Sequence, residues 1–171
     1  MNETIKSIKK RYSCKSYLNK RVPLSKLKII LEASKQAPSA LNRQICSVLC
    51  LNNPAMVNKL RELSLRESKT DYYYNAPVMV LVYGPKDDKF LDKDGACILE
   101  NIFIAASSLN IDSCWINHTD DLLNSKKGKS LKKGLAIPND ARIVGTAILG
   151  YRNPKFKVVY KKRKDNFIKI I

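Results

Sequence analysis

Apolar residues recur at helical spacing in several stretches of the chain and run together in short blocks between them. Asn2 is placed to cap a short helix through about Lys10, with Ile5 and Ile8 on one face. Val22-Pro23-Leu24-Ser25 opens a second helix carrying Leu27, Ile30 and Leu31. That helix runs to Ala37 and must stop before Pro38, because a proline pushes the preceding residue out of the helical region. Ser47 to Leu51 reads as a strand, Pro54 opens a third helix, and Tyr72 to Pro77 is a loop. Val78 to Tyr83 is apolar at every position, which predicts a strand covered on both faces. Asp92 to Leu109 is apolar around so much of its circumference that it belongs in the centre of the molecule. Ser113 to Asn117 reads as a short strand, Asp120 to Lys133 as a polar helix ending near Gly134, and Ile143 to Leu149 as another strand. Helices alternating with few strands predict an α/β or α+β layered domain. After Gly150 the periodicity is lost, so residues 151–171 are expected to be a basic arm on a single domain spanning residues 1–171.

Composition changes this picture in one respect. Hydrophobic residues make up 44%, enough for a packed core, but 32 Lys plus Arg against 15 Asp plus Glu give a net charge of +17. Such a balance raises the question of nucleic acid. Lysine supplies 24 of the 32 cations, scattered from Lys6 to Lys169, which suits a solvated surface as well as a binding patch. The N-terminus lacks an apolar core of the secretory type, and no stretch approaches a membrane span, so a cytoplasmic protein without membrane contact is expected. Five cysteines fit reduced thiols; with His118 as the one histidine, a zinc site is not expected.

The usual catalytic signatures are missing. There is no G-x-G-x-x-G and no G-x-S-x-G. Gly145 to Gly150 has the glycine spacing of a Walker loop, but Tyr151 and Arg152 stand where Lys and Ser or Thr belong. What the chain offers instead is chemistry for holding an anion. In Arg11-Tyr12-Ser13-Cys14-Lys15, extended backbone turns Arg11, Ser13 and Lys15 to one side: two cations around a hydroxyl, suited to a phosphate or to a plain solvated loop. Ala37-Pro38-Ser39-Ala40-Leu41-Asn42-Arg43-Gln44 combines a fixed turn, small residues and two amides, as a contact loop or an ordinary helix-to-strand connection would.

Taken in order and spacing, these segments resemble the nitroreductase family of FMN-dependent, homodimeric NAD(P)H oxidoreductases. Arg11, Ser13, Lys15 and Tyr17 meet its R-x-S-x-[RK]-x-[FY] segment, and Ala37, Pro38, Ser39, Asn42 and Gln44 meet its A-P-S-x-x-N-x-Q. Asn75-Ala76-Pro77 leads into a strand as in the family, and Ala105, Ala106, Leu109, Ser113 and Trp115 meet A-A-x-x-L-x-x-x-S-x-W. Leu149-Gly150-Tyr151 meets the end of the last strand, so the resemblance covers nearly the whole chain.

The resemblance implies an α+β fold: a three-layer α/β/α sandwich with a mostly antiparallel sheet, flanking helices and a C-terminal arm wrapping the partner subunit. It implies that Arg11, Tyr12, Ser13 and Lys15 hold the phosphate, ribityl chain and pyrimidine edge of FMN. Pro38, Ser39, Ala40 and Asn42 would reach the same flavin from the other subunit, and Trp115, Ile116, Asn117 and His118 would lie against the isoalloxazine. Lys161 and Arg163 match a K-x-R pair that completes the phosphate site. The flavin carries the hydride chemistry, with NADH or NADPH as donor and an electron-poor small molecule such as a nitroaromatic or quinone as acceptor, so no side-chain catalyst and no metal is required. The chain departs from the family in Gln44-Ile45-Cys46 where Q-P-W is common, in Tyr12 where a basic residue is frequent, and in its short length. Two other readings stand beside this one: a member using flavin for dehalogenation, flavin metabolism or sensing, and a basic nucleic-acid-binding domain.

Overall fold

Leu24–Ser34 (α2), Pro54–Ser68 (α3) and Leu91–Ser108 (α4) are the long helices, and Ser47–Leu51 (β1), Val78–Pro85 (β2), Asp112–Ile116 (β3) and Ala141–Gly150 (β4) the strands. Shorter helices are Glu3–Lys10 (α1), Thr119–Asn124 (α5) and Gly128–Gly134 (α6). The computed structural model describes residues 1–160 and 162–171. The strands form one antiparallel sheet in the order β1-β2-β4-β3.

The unbroken apolar run of β2 follows from its central place. Met79 and Leu81 point into a core built with Val57, Leu60 and Leu63 of α3 and Leu122 and Leu123 of α5. Val78, Val80 and Val82 point the other way, into a core with Leu27 and Ile30 of α2 and Leu99, Ile102 and Phe103 of α4. Helices therefore cover both faces, and the architecture is the expected α+β sandwich with a fully antiparallel sheet.

Local signals explain most boundaries. Asn2 caps α1 by accepting from Ile5 N at 3.0 Å, and Asn53 caps α3 by accepting from Ala55 N at 2.9 Å, with Pro54 at the first helical position. Two expectations needed correction, the end of the second helix and the helix over 120–133, while Ile5 and Ile8 do lie on one face. The second helix ends at Ser34, where the Ser34 hydroxyl turns back to Leu31 O at 2.6 Å, and not at Ala37. Ile5 and Ile8 share a face but remain 42% and 43% exposed, because α1 packs on α4 through the small pair Ser7 and Ser107 (Ser107 Oγ to Ser7 O, 2.9 Å). The helix expected over 120–133 is two helices. Ser125 is extended and accepts from Gly128 N at 3.0 Å, and a Cβ on Gly128 would lie 1.9 Å from Leu122 O, so the chain turns there at a contact that side chains forbid. The turn is locked by Lys132, a buried ammonium whose three protons go to Asn124 Oδ1 (2.8 Å), Ala141 O (2.8 Å) and Asn139 O (3.3 Å).

Candidate functional site

The segment after α1 lies along the outer edge of β3. Ser13 bridges Ser113 in parallel, and Cys14 N donates to Ser113 O at 2.9 Å. The chain then crosses to the strand leaving β4, with Leu18 N donating to Tyr151 O (2.8 Å) and Asn153 N to Ser16 O (3.0 Å). Along this stretch Cys14 and Tyr17 are buried and Ser13 and Lys15 are exposed.

Asp112, at the start of β3, organises the surroundings. One carboxylate oxygen accepts the Tyr12 hydroxyl and the other accepts Arg152 N at 2.9 Å. Burial and the hydrogen bond to Asp112 both raise the Tyr12 pKa, so the phenol stays protonated and committed to this partner. Neither Arg11 nor Lys15 has an ion pair among the described residues. Arg11, Lys10, Arg152, Ser113 and Tyr160 are among the residues lining a cavity of about 330 Å³. The arm forms part of its wall: Tyr160 donates to Lys10 O at 3.2 Å and meets the Tyr12 ring edge-on at 6.0 Å. Of the two arm cations named from the sequence, Arg163 is exposed a few residues further on, and Lys161 lies outside the described residues.

The far end of β3 leads into α5. Ile116 is buried, and Asn117 and His118 follow as the chain turns into α5. The turn rests on a buried hydroxyl chain from Thr146 Oγ1 through Thr119 Oγ1 (2.8 Å) to the Tyr73 hydroxyl (3.1 Å). His118 packs on Tyr72 with ring centroids 4.4 Å apart, and its buried Nε2 has no partner among the described residues. The Trp115 indole faces the α4 layer, 6.1 Å from Phe103, and its N–H donates to the Asn117 side chain. Gly145 makes room for it, since a Cβ there would lie 2.6 Å from the indole nitrogen. Lys15 reaches towards Tyr74, whose ring centroid is 6.0 Å from Nζ. The tyrosine loop is held by Asp71, which accepts from Tyr73 N (3.0 Å) and Asn75 N (3.1 Å) and pairs with Arg61 at 2.9 Å.

Residues 37–44 lie elsewhere. A single 3₁₀ turn at Ala40–Asn42 is followed by Gln44, and Leu41, Asn42 and Gln44 all have φ between 51° and 54°. Left-handed backbone costs a side-chain-bearing residue roughly 1 kcal/mol. Internal bonds hold the shape: Gln44 N to Ser39 Oγ (3.1 Å) and Gln44 Nε2 to Asn42 Oδ1 (3.0 Å). Two side chains attach it to the body. Asp94 of α4 accepts from Ala40 N at 3.0 Å, and Asp88 pairs with Arg43 at 2.8 Å, a bond that holds the Asp88 carboxyl below its ordinary pKa.

Asp94 and Ser107 are thirteen residues apart on one straight helix, a rise of roughly 20 Å. The structure thus sets Arg11, Tyr12 and Ser13 against the start of β3, with Lys15 beside Tyr74, and keeps Pro38, Ser39, Ala40 and Asn42 at the opposite end of α4. Asp112 and Asp94, which shape the two ends, were missed from the sequence; neither sits in a local pattern that distinguishes it. The four partly or fully buried thiols Cys14, Cys46, Cys50 and Cys114 are all raised by burial, Cys46 and Cys50 to about 11, which marks them as inert. Among the described residues no cluster of His, Cys, Asp or Glu is placed to hold a metal, and no helix is long and apolar enough to cross a membrane.

Comparison with known proteins agrees across the chain. A crystal structure of an FMN-bound nitroreductase from Bacteroides fragilis superposes with a TM-score of 0.91 at 28% identity, covering 100% of both chains. A second FMN-bound nitroreductase, from Desulfitobacterium hafniense, gives 0.87 at 27% identity over 99% of each chain. A relative from Archaeoglobus fulgidus, named provisionally as an NADH dehydrogenase/NAD(P)H nitroreductase, is 27% identical over 98% of this chain and 94% of its own. The profile of the Nitroreductase family matches residues 8–151, spanning the Arg11 segment, the 37–44 loop, the whole sheet and the turn after β3, and the chain belongs to that family.

Proposed function

We propose that the protein is an FMN-dependent NAD(P)H oxidoreductase, a homodimer of one domain per chain acting in the cytoplasm on electron-poor acceptors. One observation carries this reading: unpaired cations gather at one end of α4 while a strained, polar loop sits roughly 20 Å away at the other, so each element needs a second copy to meet its counterpart. The donor set fits the cofactor. Arg11 can grip a phosphate bidentately, and Ser13 adds a hydroxyl. Lys15 would place positive charge at the pyrimidine edge, and Lys161 and Arg163 would close the phosphate side from the arm. Tyr12 would contribute through its backbone, its hydroxyl being committed. Trp115 would act by holding Asn117, so that Ile116, Asn117 and His118 present a fixed edge to the ring system. Pro38, Ser39, Ala40 and Asn42 would complete the flavin site of the other subunit, and the arm would lie over that subunit.

Bound FMN would supply the two-electron chemistry that moves a hydride from NADH or NADPH to an acceptor such as a nitroaromatic or quinone. Donor and acceptor using one site in turn gives ping-pong kinetics. The relatives support the cofactor, since two structures of matching length and fold carry FMN. The test is the visible spectrum of the purified protein. A yellow preparation with about one FMN per chain, bleached by NADH or NADPH without oxygen, is expected; a colourless one that takes up no added FMN overturns the reading.

A further inference from the structure

The Asp94 carboxylate is 4% exposed, and nothing in the redox chemistry calls for it. One oxygen accepts Ala40 N at 3.0 Å; the other, Oδ2, is buried with no donor among the described residues. A buried acceptor left unmatched is unfavourable and is retained where its position does other work. Its place in the first turn of α4 offsets part of that burial, because the exposed N–H groups of a long helix favour negative charge there. Below the carboxylate and the loop lies a cavity of about 570 Å³, walled by Leu31, Pro38, Cys46, Val48, Cys50 and Ile98. Pro38, Ser39 and Gln44 of the loop line this cavity too, so little side-chain packing holds them from that side. Leu41 at its tip is 87% exposed. The other attachment runs through Arg43, which pairs with Asp88 at 2.8 Å and lies over the Phe90 ring on a side chain that is 39% exposed.

We infer that Asp94 is a positioning residue: its buried carboxylate pins the loop through Ala40 N–H and so sets where Ser39 to Asn42 meet a neighbouring flavin. The part concerning flavin rests on the function proposed above; the part concerning the loop does not. A charged acceptor on a rigid helix makes a shorter and stronger bond to a backbone N–H than a neutral one. Asn at this position keeps the oxygen and loses the charge, whereas Ala leaves Ala40 N–H unpaired.

The experiment compares wild type, Asp94→Asn and Asp94→Ala by amide hydrogen exchange over residues 39–44 without added FMN, by FMN affinity, and by kcat and KM. In Asp94→Ala, exchange across the loop should quicken about 10-fold, with FMN affinity and kcat both falling about 10-fold, and Asp94→Asn should recover most of each. Ala40→Pro, which removes the donor and keeps the carboxylate, should reproduce the loss and serves if Asp94→Ala fails to fold. Unchanged exchange in Asp94→Ala, or in Ala40→Pro where that variant stands in, overturns the pin. Faster exchange with unaltered FMN affinity and kcat overturns the link to the flavin. A wild type that binds no FMN breaks the proposed function alone, and the exchange comparison still decides the pin.

Discussion

At the C-terminal end of α4, the chain around Arg11 is joined by backbone pairing to β3 on one side and to the strand leaving β4 on the other. At the N-terminal end, residues 39–44 pair with no strand among the described residues and hang on Asp94 and Asp88. The first region keeps its cations in place before any anion arrives, so binding orders little that was mobile. The second stores left-handed backbone at three positions and exposes its tip, as suits a surface that acts on another molecule. Rigidity thus lies where charge must be held, and strain lies where contact must be made.

The largest effect that separates the two ends belongs to Asp112. Asp112→Ala leaves both the Tyr12 hydroxyl and Arg152 N without their acceptor and should cost about 3 kcal/mol of stability, read by urea unfolding. It should also free the arm and the Arg11 segment together. Stability within about 0.5 kcal/mol of wild type would show that the bridges along β3 suffice without it. Next comes Arg11→Ala. The same end should then lose FMN affinity about 30-fold with little change in unfolding, because the guanidinium has no ion pair or hydrogen bond among the described residues. Unchanged affinity would remove Arg11 from the phosphate site.

How far these regions could be read beforehand differs in the same way. The limits of β1 and the start of α3 are legible because Pro54 and the short apolar run before it are local signals. The family motifs locate both ends of α4, but not the acids that shape them. Asp112 meets Tyr12 across 100 residues of sequence and Asp94 meets Ala40 across 54, and no spacing rule reaches that far. The break between α5 and α6 was hidden for a related reason: it depends on a close approach of Gly128 to the Leu122 carbonyl, which propensity does not report. The Trp115 indole packs over Gly145 on the α4 side, a close approach that no local pattern reports.

That last contact provides a probe of the β3 edge alone. Gly145→Ala drives a methyl to within 2.6 Å of the indole nitrogen and should cost about 1–2 kcal/mol by displacing the ring. Trp115 is the one tryptophan in the chain, so its fluorescence reports the displacement directly. A shifted emission with weakened FMN binding would tie the Trp115–Asn117 bond to the site. An unshifted spectrum would mean that β4 absorbs the methyl and the edge does not depend on it.

The smallest effect tests the comparison through the thiols. Cys14 and Cys114 lie in the sheet-joined region, whereas Cys46 and Cys50 line the cavity under the loop. Exposed Cys97 should react first with a thiol reagent at about pH 8. Cys46 and Cys50 should follow at the rate at which the loop opens, and Cys14 and Cys114 should wait for unfolding. Burial raises Cys46 and Cys50 from an ordinary value of about 9 to about 11, so the folded state keeps them protonated where the unfolded chain would ionise. Their contribution is therefore whole below about pH 9 and is lost as pH climbs through about 11. Alkali should loosen the loop end, and Cys46→Ala with Cys50→Ala should remove part of the fall in urea midpoint between about pH 8 and pH 10. If all four thiols react together at every pH, the two ends open as one unit, and the contrast in how they are held has no counterpart in how they move.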